Sequence, residues 1–337
     1  LFVAGAHLSK AHGLTVREIR EEEWPIALEV QTVTEDTPHG IAVSMGAALM
    51  GFGSGWNAHR PDAILALGDR FETFCAVAAA APFRIPVFHL HGGEATEGLY
   101  DEAFRHAITK MSHVHLVANG WAAHRVRALG EEAWRVRVVG APGLDGIAEF
   151  KPMPFEEACR AGGIRGLTQP FLLVLVHPET LSPDETSARA KALGAALVQS
   201  GLDTLTIGPG ADTGWEPLLA DTPHLPRPVF WSLMAHAAAM VGNSSTGIIE
   251  AASFGLPVVD IGDRQKGRQR PINVIHVPWI VRDIEAAIQR AITCTRPLCR
   301  GIFNPYGDGH ASRRIADILE TEELGERLLM KRLAADP

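Results

Sequence analysis

Short apolar runs alternate with longer amphipathic stretches along most of this chain, and glycine or proline marks many of the boundaries. The apolar runs have the near-continuous hydrophobicity of strands that are buried on both faces of a sheet. They predict strands at residues 63–67, 85–90, 135–139, 171–176, 205–207, 238–241 and 257–261. The amphipathic stretches predict helices at residues 71–81, 100–112, 186–200, 247–254 and 283–293. Strands that alternate with helices form parallel sheets, so the pattern predicts an α/β fold.

Prolines and glycines interrupt this pattern at residues 150–168. We therefore predict two Rossmann-like, doubly wound domains, at residues 1–155 and 156–309. Residues 310–337 are charged and leucine-rich, and we predict a C-terminal helix that packs back across the domains. Ligands of such sheets bind at the carboxyl ends of the strands, so the residues after each strand are candidates for function.

The composition is that of a globular protein and excludes several classes of function. Of the 337 residues, 46% are hydrophobic and 21% are charged, with a net charge of −8. This charge argues against nucleic-acid binding, and no apolar run is long enough to span a bilayer. Cys75, Cys159, Cys294 and Cys299 do not form a zinc-binding pattern. Their scatter suits a reducing compartment, so we expect a cytoplasmic protein.

The most informative segment is residues 241–250, which predict a strand, a tight turn and the start of a helix. Ser244 and Ser245 lie in the turn, between Gly242 and Gly247. A helix start presents unpaired backbone N–H groups, and small residues let an anion approach them closely. The segment therefore predicts a phosphate site, although serine is also an ordinary helix cap.

Asp69 and Arg70 follow the predicted strand at residues 63–67. A carboxylate at a strand end can act as a general base, and a neighbouring arginine can hold a phosphate. A loop ion pair that caps the next helix is an equally good interpretation.

An HxHxxE pattern of His89, His91 and Glu94 begins in the next strand, at residues 85–90, and continues into the turn after it. Residues two apart in a strand share a face, so both imidazoles can bind one metal ion, with His113 and His115 as further ligands. In the alternative, His89 is buried and only His91 and Glu94 reach the functional site.

The predicted helix at residues 100–112 carries several charged side chains at a spacing of three or four residues. They are Asp101, Glu102, Arg105, His106 and Lys110. This spacing predicts a solvated, salt-bridged helix face.

Three features of the second domain also suggest a phosphate ligand. His177 follows the strand at residues 171–176, where a cationic imidazole would favour departure of a phosphate leaving group. Glu250 lies one helical turn beyond the serines, where a carboxylate would accept hydrogen bonds from hydroxyls such as a ribose diol. Three cations follow the next strand, close to the phosphate turn: Arg264, Lys266 and Arg268.

Several long motifs closely resemble the hydrolysing UDP-N-acetylglucosamine 2-epimerases of sialic acid biosynthesis. The motifs are HGGEATEGLYDEAFRHAITK at residues 91–110, GDRFE at 68–72, GNSSTGIIE at 242–250 and GDRQKGR at 262–268, with NPYGDG at 304–309 in the same style. The resemblance runs from Leu1 to about Ile318, and the motifs occur in the family's order.

The resemblance implies a glycosyltransferase-B-like fold with the active site in the cleft between two Rossmann-like domains. It implies that a UDP-sugar and water give UDP and the free 2-epimeric sugar, through loss of UDP to a 2-acetamidoglucal and then hydration. It implies no metal, no nicotinamide cofactor, and a homodimer or homotetramer. The implied substrate is UDP-N-acetylglucosamine, which gives N-acetylmannosamine, or UDP-2,4-diacetamido-2,4,6-trideoxyglucose for legionaminic acid.

The matching positions imply roles for individual residues. Ser244, Ser245 and Arg264 match ligands of the diphosphate, and Glu250 matches the ribose ligand. The full set implied to bind UDP is Arg70, His177, Ser244, Ser245, Glu250 and Arg264. The set implied for the chemistry is Asp69, Asp101, His91, Glu94 and His177. Which acid removes the C2 proton stays open.

The chain departs from the family at two places. Family members begin with one further strand and helix that carry an arginine for the nucleotide, and we expect the natural protein to have this unit before Leu1. Residues 208–212 replace an asparagine-containing loop, which leaves the uridine contacts there open. Three other functions also stay open: a non-hydrolysing epimerase, a metal-dependent hydrolase and a non-catalytic UDP-sugar sensor.

Overall fold

The computed structural model describes residues 1–9, 14–32, 37–97, 99–177, 179, 183–208, 222, 225–293 and 302–334. The chain folds into two compact units. The first comprises Leu1–Glu94, Asp101–Val139 and Ser312–Pro337, and the second comprises Ala95–Tyr100 and Gly140–Ala311. The division follows spatial contacts, so it falls after Val139, whereas the boundary drawn from the sequence lies at residue 155.

Within the described residues, the first unit contains two parallel sheets. Strand β1 (Phe2–Ala4) pairs with β2 (Leu28–Val30) in a sheet of their own. The strands of the second sheet, in spatial order, are β3 (Ile64–Leu67), β4 (Val87–Leu90), β5 (Val114–Val117) and β6 (Val136–Val138). Since these strands are parallel and in sequence order, their carboxyl ends lie along one edge of the sheet.

Five α-helices lie before Val139 in the described residues of the first unit, and a side chain caps the start of two of them. They are α1 (Val16–Glu21), α2 (Pro38–His59), α3 (Phe71–Ala80), α4 (Asp101–Met111) and α5 (Gly120–Ala128). The Thr37 hydroxyl accepts a hydrogen bond from the Gly40 N–H at 3.0 Å, and Asn119 Oδ1 accepts one from the Ala122 N–H at 2.8 Å. Each cap satisfies one of the backbone donors that a helix start leaves unpaired.

The second unit contains one parallel sheet among its described residues. Its strands are β7 (Phe171–Leu175), β8 (Asp203–Ile207), β9 (Ala239–Gly242), β10 (Val258–Ile261) and β11 (Val274–Val277), in the spatial order β11-β10-β9-β7-β8. Its helices are α6 (Phe155–Ala161), α7 (Thr186–Ser200), α8 (Arg227–His236), α9 (Ser245–Ile249) and α10 (Val281–Thr293).

Alternation along β7 explains why this sheet is covered on both faces. Leu173 packs in one core with residues of α6 and α8, whereas Leu172 and Val174 pack in another core with residues of α7 and α10. Successive side chains of a strand point to opposite faces, so a continuously apolar strand needs helices on both sides. The predicted α/β fold with two Rossmann-like parallel-sheet domains is confirmed.

The C-terminal segment differs from the single helix predicted at residues 310–335. Helix α11 (Ala311–Thr321) ends, and a short helix α12 (Glu326–Leu329) follows. Gly325 precedes α12 with an extended backbone (φ −100°, ψ −174°), which no continuous helix allows. The prediction of one helix is therefore wrong, and its last residue lies outside the described part of the chain.

Several helices and strands were not predicted, because their polar and apolar residues do not form a clear periodic pattern. Helix α2 has no Asp, Glu, Lys or Arg, so no polar stripe reveals its period. Strands β2, β5 and β11 are short and half polar or contain histidine. Residues 209–212 of the loop that departs from the family, together with Cys294 and Cys299, lie outside the described residues. Among the residues that are described, no helix is long and apolar enough to cross a membrane.

Candidate functional site

The serine turn of the second unit follows β9 as predicted, and its first residue must be glycine. Gly242 has a φ of +144°, and a Cβ atom there would lie 1.8 Å from the carbonyl oxygen of Leu175. Ser244 then caps α9, because its Oγ accepts a hydrogen bond from the Thr246 N–H at 3.4 Å. The helix predicted at residues 247–254 is in fact α9 and a separate 3-10 turn, Ala251–Phe254. Local N–H groups therefore matter more here than a long helix dipole.

Asn243 joins the ends of two neighbouring strands, a role that was not predicted for it from the sequence. Its Oδ1 accepts a hydrogen bond from the His177 N–H at 2.7 Å, and its Nδ2 donates to the His177 carbonyl at 2.8 Å. The side chain is fully buried. Asn243 thereby fixes the backbone at the end of β7 against the turn after β9. The feature of the sequence that could have indicated this role is the position of Asn243 directly after Gly242.

Three of the predicted phosphate ligands come together at this turn. His177 Nε2 lies 3.3 Å from Ser244 Oγ. Arg264 Nη1 donates to the Asn243 carbonyl at 3.3 Å, and the buried Gln265 donates to the same oxygen at 2.9 Å. The arrangement gathers an imidazole, a hydroxyl and a guanidinium, which are common donors to phosphate.

The other two cations of this loop have different surroundings from those predicted. Lys266 lies 3.6 Å from a carboxylate oxygen of Glu97, and Arg268 Nε donates to the Ala95 carbonyl at 3.2 Å. Both partners belong to the segment Ala95–Tyr100 of the same unit. Of the three cations that the sequence placed near the phosphate turn, Arg264 is the one with a described contact to it.

Glu250 lies at the end of α9 and is half-buried. Trp231 Nε1 donates to its Oε2 at 2.7 Å, and the Thr246 hydroxyl donates to its Oε1 at 3.2 Å. Burial raises the pKa of Glu250, and these two hydrogen bonds act in the opposite direction. Ser245 lies half-buried in the first turn of the same helix. Trp231 belongs to α8 and was not found from the sequence.

Asp69 lies at the carboxyl end of β3, after Gly68 with a φ of +80°. The Arg105 guanidinium donates to Asp69 Oδ2 and, at 3.1 Å, to Glu102 Oε2. The Arg105 side chain is only 2% exposed, whereas that of Asp69 is 24% exposed. The prediction that Arg105 belongs to a solvated helix face is therefore wrong, because α4 turns this side chain into the protein. Glu102 also lies 3.1 Å from His106, one helical turn further along the same helix.

His89 is fully buried, and both of its ring nitrogens have protein partners. Nε2 lies 2.8 Å from the Gly68 carbonyl, and Nδ1 lies 3.2 Å from the Thr109 hydroxyl. A carbonyl only accepts, so Nε2 carries the proton and Nδ1 accepts from Thr109. Burial lowers the pKa of His89 to about 3, so the ring is neutral. These contacts match the interpretation of a buried histidine that supports the turn before Asp69.

His113 and His115, the further metal candidates, also have structural partners. His113 Nδ1 accepts from the Val87 N–H at 3.1 Å, and burial lowers its pKa to about 4. His115 Nε2 donates to buried Glu131 at 2.8 Å, and burial lowers the pKa of His115 as well. In the part of the chain that the structure describes, no group of three His, Cys, Asp or Glu side chains is placed to hold a metal ion.

His91 and Glu94 lie on a sharp turn after β4. His91 is half-buried and has a φ of +62°, which is unusual for a residue other than glycine. Gly93 has a φ of +75°, and a Cβ there would lie 2.3 Å from the Ala122 carbonyl oxygen. Glu94 is buried at the end of the turn. Backbone held in a sparsely populated region is typical of functional turns.

The remaining candidates of the first unit lie at helix starts. Asp101 is the first residue of α4 and is half-buried, in reach of the positive end of the helix. Arg70 directly precedes α3, is half-exposed, and its Nε donates to Glu72 Oε2 at 3.2 Å. The first unit thus contains five of the candidates, Asp69, Arg70, His91, Glu94 and Asp101, and the second contains the other five, His177, Ser244, Ser245, Glu250 and Arg264.

Parallel strands followed by a glycine turn and a half-buried carboxylate are typical of nucleotide-binding α/β proteins. The family described as UDP-N-acetylglucosamine 2-epimerase matches residues 1–320, and the chain belongs to this family. It is an enzyme family that acts on UDP-sugars. The family predicted from the sequence is confirmed.

Named relatives agree with this assignment. The chain is 35% identical to the hydrolysing UDP-N,N′-diacetylbacillosamine 2-epimerase of Legionella pneumophila, over 98% of this chain and 89% of the relative. It is 30% identical to the UDP-N-acetylglucosamine 2-epimerase of Neisseria meningitidis, over 96% of this chain and 87% of the relative. The crystal structure of a UDP-N-acetylglucosamine 2-epimerase from Neisseria meningitidis, bound to UDP-N-acetylglucosamine, shares the fold. Its TM-score is 0.76 at 18% identity, with 92% of this chain and 90% of that chain covered.

Proposed function

We propose that this protein is a hydrolysing UDP-sugar 2-epimerase that converts UDP-N-acetylglucosamine and water to UDP and N-acetylmannosamine. The observation that carries the proposal is the 35% identity, over 98% of the chain, to a relative named as a hydrolysing 2-epimerase. The two groups of side chains support it, because the reaction needs a holder for the nucleotide and an acid–base group for the sugar.

In this proposal the serine turn holds the diphosphate that leaves. Ser244 and Ser245 supply hydroxyl and backbone donors, and Arg264 supplies a positive charge. The His177 imidazole, 3.3 Å from Ser244 Oγ, donates to a phosphate oxygen as negative charge develops there. Glu250 accepts hydrogen bonds from the ribose. Arg70 adds a further cation for the nucleotide.

The acid–base group acts on the sugar ring. A base takes the proton from C2 while the C1–O bond breaks and its electron pair leaves with UDP. The product of this step is a 2-acetamidoglucal with a C1–C2 double bond. Water then adds: its hydroxyl bonds to C1, and a proton bonds to C2 from the opposite face. The candidates for these proton transfers are Asp69, Asp101, His91 and Glu94. Since elimination and hydration balance each other, no oxidant or reductant is needed.

A second substrate is favoured by the names of two relatives. The Legionella pneumophila relative and one from Campylobacter jejuni, 32% identical over 86% of this chain, are both named as diacetylbacillosamine 2-epimerases. Our second candidate is therefore UDP-2,4-diacetamido-2,4,6-trideoxyglucose. It differs from UDP-N-acetylglucosamine in having an acetamide at C4 and a methyl group at C5.

The same proposal includes a homodimer or homotetramer in the cytoplasm, where nucleotide sugars are made. Light scattering coupled to size-exclusion chromatography measures the subunit number directly. A monomer in this measurement would contradict that part of the proposal without touching the reaction.

Incubation with each UDP-sugar in deuterated water tests the reaction and the substrate together. We expect release of UDP and a free 2-epimeric sugar that carries deuterium at C2. A 2-epimer still attached to UDP would identify a non-hydrolysing enzyme. Turnover that a chelator abolishes would favour a metal-dependent hydrolase. Tight UDP binding without turnover of either sugar would favour a sensor.

A further inference from the structure

We propose that Trp231 is a positioning residue, which orients Glu250 toward the ribose hydroxyls of a bound uridine nucleotide. The inference rests on the proposed function, because it takes Glu250 as the ribose ligand. It extends that function by a residue of α8 that makes nucleotide recognition selective for ribose.

The two carboxylate oxygens of Glu250 each have one donor within the second unit. Trp231 Nε1 donates to Oε2 at 2.7 Å, and the Thr246 hydroxyl donates to Oε1 at 3.2 Å. Donors on both oxygens fix the plane of the carboxylate. Each ionised oxygen has two acceptor sites, so one site on each oxygen remains for a further donor. A ribose diol presents two neighbouring hydroxyl donors, which suits two fixed acceptors side by side.

Trp231 can fix this plane because its own ring is held on several sides. It is only 3% exposed. The rings of Phe150 and Phe254 lie 5.2 Å and 6.0 Å from it, centroid to centroid. The Arg227 guanidinium lies 4.1 Å over the indole and donates to the carbonyls of Gly143, at 2.5 Å, and Asp145, at 3.0 Å. These contacts fix the orientation of the indole ring, so that its N–H points toward Glu250.

The charge state of Glu250 gives the indole a second effect. An ionised carboxylate is an acceptor on both oxygens, whereas a protonated one carries a donor on one of them. Burial raises the pKa of Glu250, and the hydrogen bonds from Trp231 and Thr246, with the charge of Arg227, counteract this. Loss of the indole N–H would therefore both loosen the carboxylate and favour its protonated form.

The chain supplies a matched control in Trp134. Hydrogen bonds from Arg135 and from this indole lower the pKa of Glu132, and the Arg135 guanidinium lies 4.2 Å from the centre of the indole ring. It belongs to the first unit, and no role in nucleotide binding is proposed for it. Trp134→Phe therefore removes the same kind of contact from a place where ribose recognition should not respond.

Calorimetric titration with UDP and with 2′,3′-dideoxyuridine diphosphate tests the proposal on the intact protein. We expect the natural chain to prefer UDP by about tenfold or more, because the dideoxy analogue lacks both ribose donors. Trp231→Phe should weaken UDP by about tenfold and leave the dideoxy analogue within about twofold, so the preference shrinks. Trp134→Phe should keep the preference. Turnover of the UDP-sugar should show a raised KM at nearly constant kcat, since in this proposal the indole acts on the ribose ligand and not on the sugar.

The outcomes separate this inference from the proposed function. Absence of UDP binding by the natural chain would refute the proposed function itself. Equal binding of the two nucleotides, or a preference that Trp231→Phe leaves unchanged, would overturn the positioning role alone. If the phenylalanine variant does not fold, benzothienylalanine at position 231 keeps the ring shape and replaces the N–H by sulfur. The same loss of preference is then required.

Discussion

Two carboxylates of the first unit are each bound by cations, yet they have opposite surroundings. Asp69 receives the Arg105 guanidinium at a strand end, and 24% of its side chain stays exposed. Glu131 is only 1% exposed and receives hydrogen bonds from His115 at 2.8 Å, Lys110 at 2.6 Å and Lys331 at 2.8 Å. Each carboxylate belongs to a charged pair in which one member is buried. Of the two carboxylates, Asp69 is the one that stays partly exposed to solvent.

The Glu131 cluster has a structural task. Burial would raise the pKa of Glu131, but the hydrogen bonds from His115, Lys110 and Lys331 outweigh it and lower this pKa to about 2. Lys331 comes from the segment after α12, and nearby Arg135 donates to the Leu328 carbonyl at 2.8 Å. The cluster therefore ties the C-terminal segment to the sheet of the first unit.

The comparison teaches how to tell a structural ion cluster from a functional one. A carboxylate with several buried donors has its acceptor sites occupied and stabilises the fold. A carboxylate that is fixed on one side by a buried cation and exposed on the other keeps acceptor capacity in a defined direction. Asp69 has the second arrangement. The residue before it, Gly68, is held in place because its carbonyl accepts a hydrogen bond from His89 Nε2.

The largest effect is expected at Asp69 and Asp101, two of the carboxylates proposed for proton transfer. Asp69→Asn and Asp101→Asn should each lower turnover of the UDP-sugar by about a thousandfold, the range of a lost general acid or base. The affinity for UDP should stay within about threefold, because most of the proposed nucleotide ligands belong to the other unit and Arg70 is kept. Steady-state kinetics and calorimetry measure the two quantities. Asp62→Asn, at an exposed position just before β3, is the matched control. Unchanged turnover in both variants would contradict the assignment of these two carboxylates to the chemistry.

Acid should unfold the protein through the buried groups. The folded-state pKa values of His89 and His113 lie at about 3 and about 4, below the ordinary 6.5. The unfolded chain therefore binds more protons as the pH falls below 6.5, and stability is lost from there down through the folded pKa values. Glu131 adds a loss between its ordinary pKa of 4.5 and about 2. Denaturant titrations at a series of pH values should show stability falling steadily below pH 6.5. If the free energy of unfolding stayed constant between pH 6.5 and 4, the predicted direction of this pH dependence would be wrong.

Glu131→Gln should destabilise the fold by about 3 kcal/mol, because the buried carboxylate is lost and Lys331, whose side chain is only 19% exposed, loses its charge partner. Turnover per folded molecule should not change. The variant should also lose the part of the acid sensitivity that lies below pH 4.5. Glu29→Gln is the control: this glutamate pairs with Arg20 at the surface, and its loss should change stability by less than about 1 kcal/mol. Equal effects of the two variants in urea titrations would contradict the structural role of the cluster.

The smallest effect is expected at Thr109, whose hydroxyl hydrogen-bonds the buried His89. Thr109→Val removes the hydroxyl that donates to His89 Nδ1 at 3.2 Å and leaves a buried acceptor unpaired, at a cost of about 1 kcal/mol. Thr321→Val provides a control, since that hydroxyl bonds the Asp317 carbonyl at an exposed position. Thermal unfolding should distinguish them, and a control as destabilised as Thr109→Val would argue against the tautomer assigned to His89.

Much of the fold and part of the candidate site could be predicted because local pattern encodes them. Apolar runs such as residues 171–176 are too hydrophobic for one face alone, so they require helices on both sides. The Gly242 turn could be predicted as well, since small residues after a strand indicate close backbone approach. Helix α2 could not, because a helix without charged residues has no polar stripe to reveal its period.

The sequence by itself determined the parallel-sheet domains, the family and the chemical types available at the strand ends. Only the tertiary structure decided which of these side chains are buried and what they face. Arg105 has the spacing of a solvated helix residue, yet the fold buries it against Asp69. Asn243 and Trp231 look unremarkable in the sequence, yet one binds the end of β7 and the other binds Glu250. Local periodicity fixes a residue's face on its own element, but its partners come from elements far away in the chain.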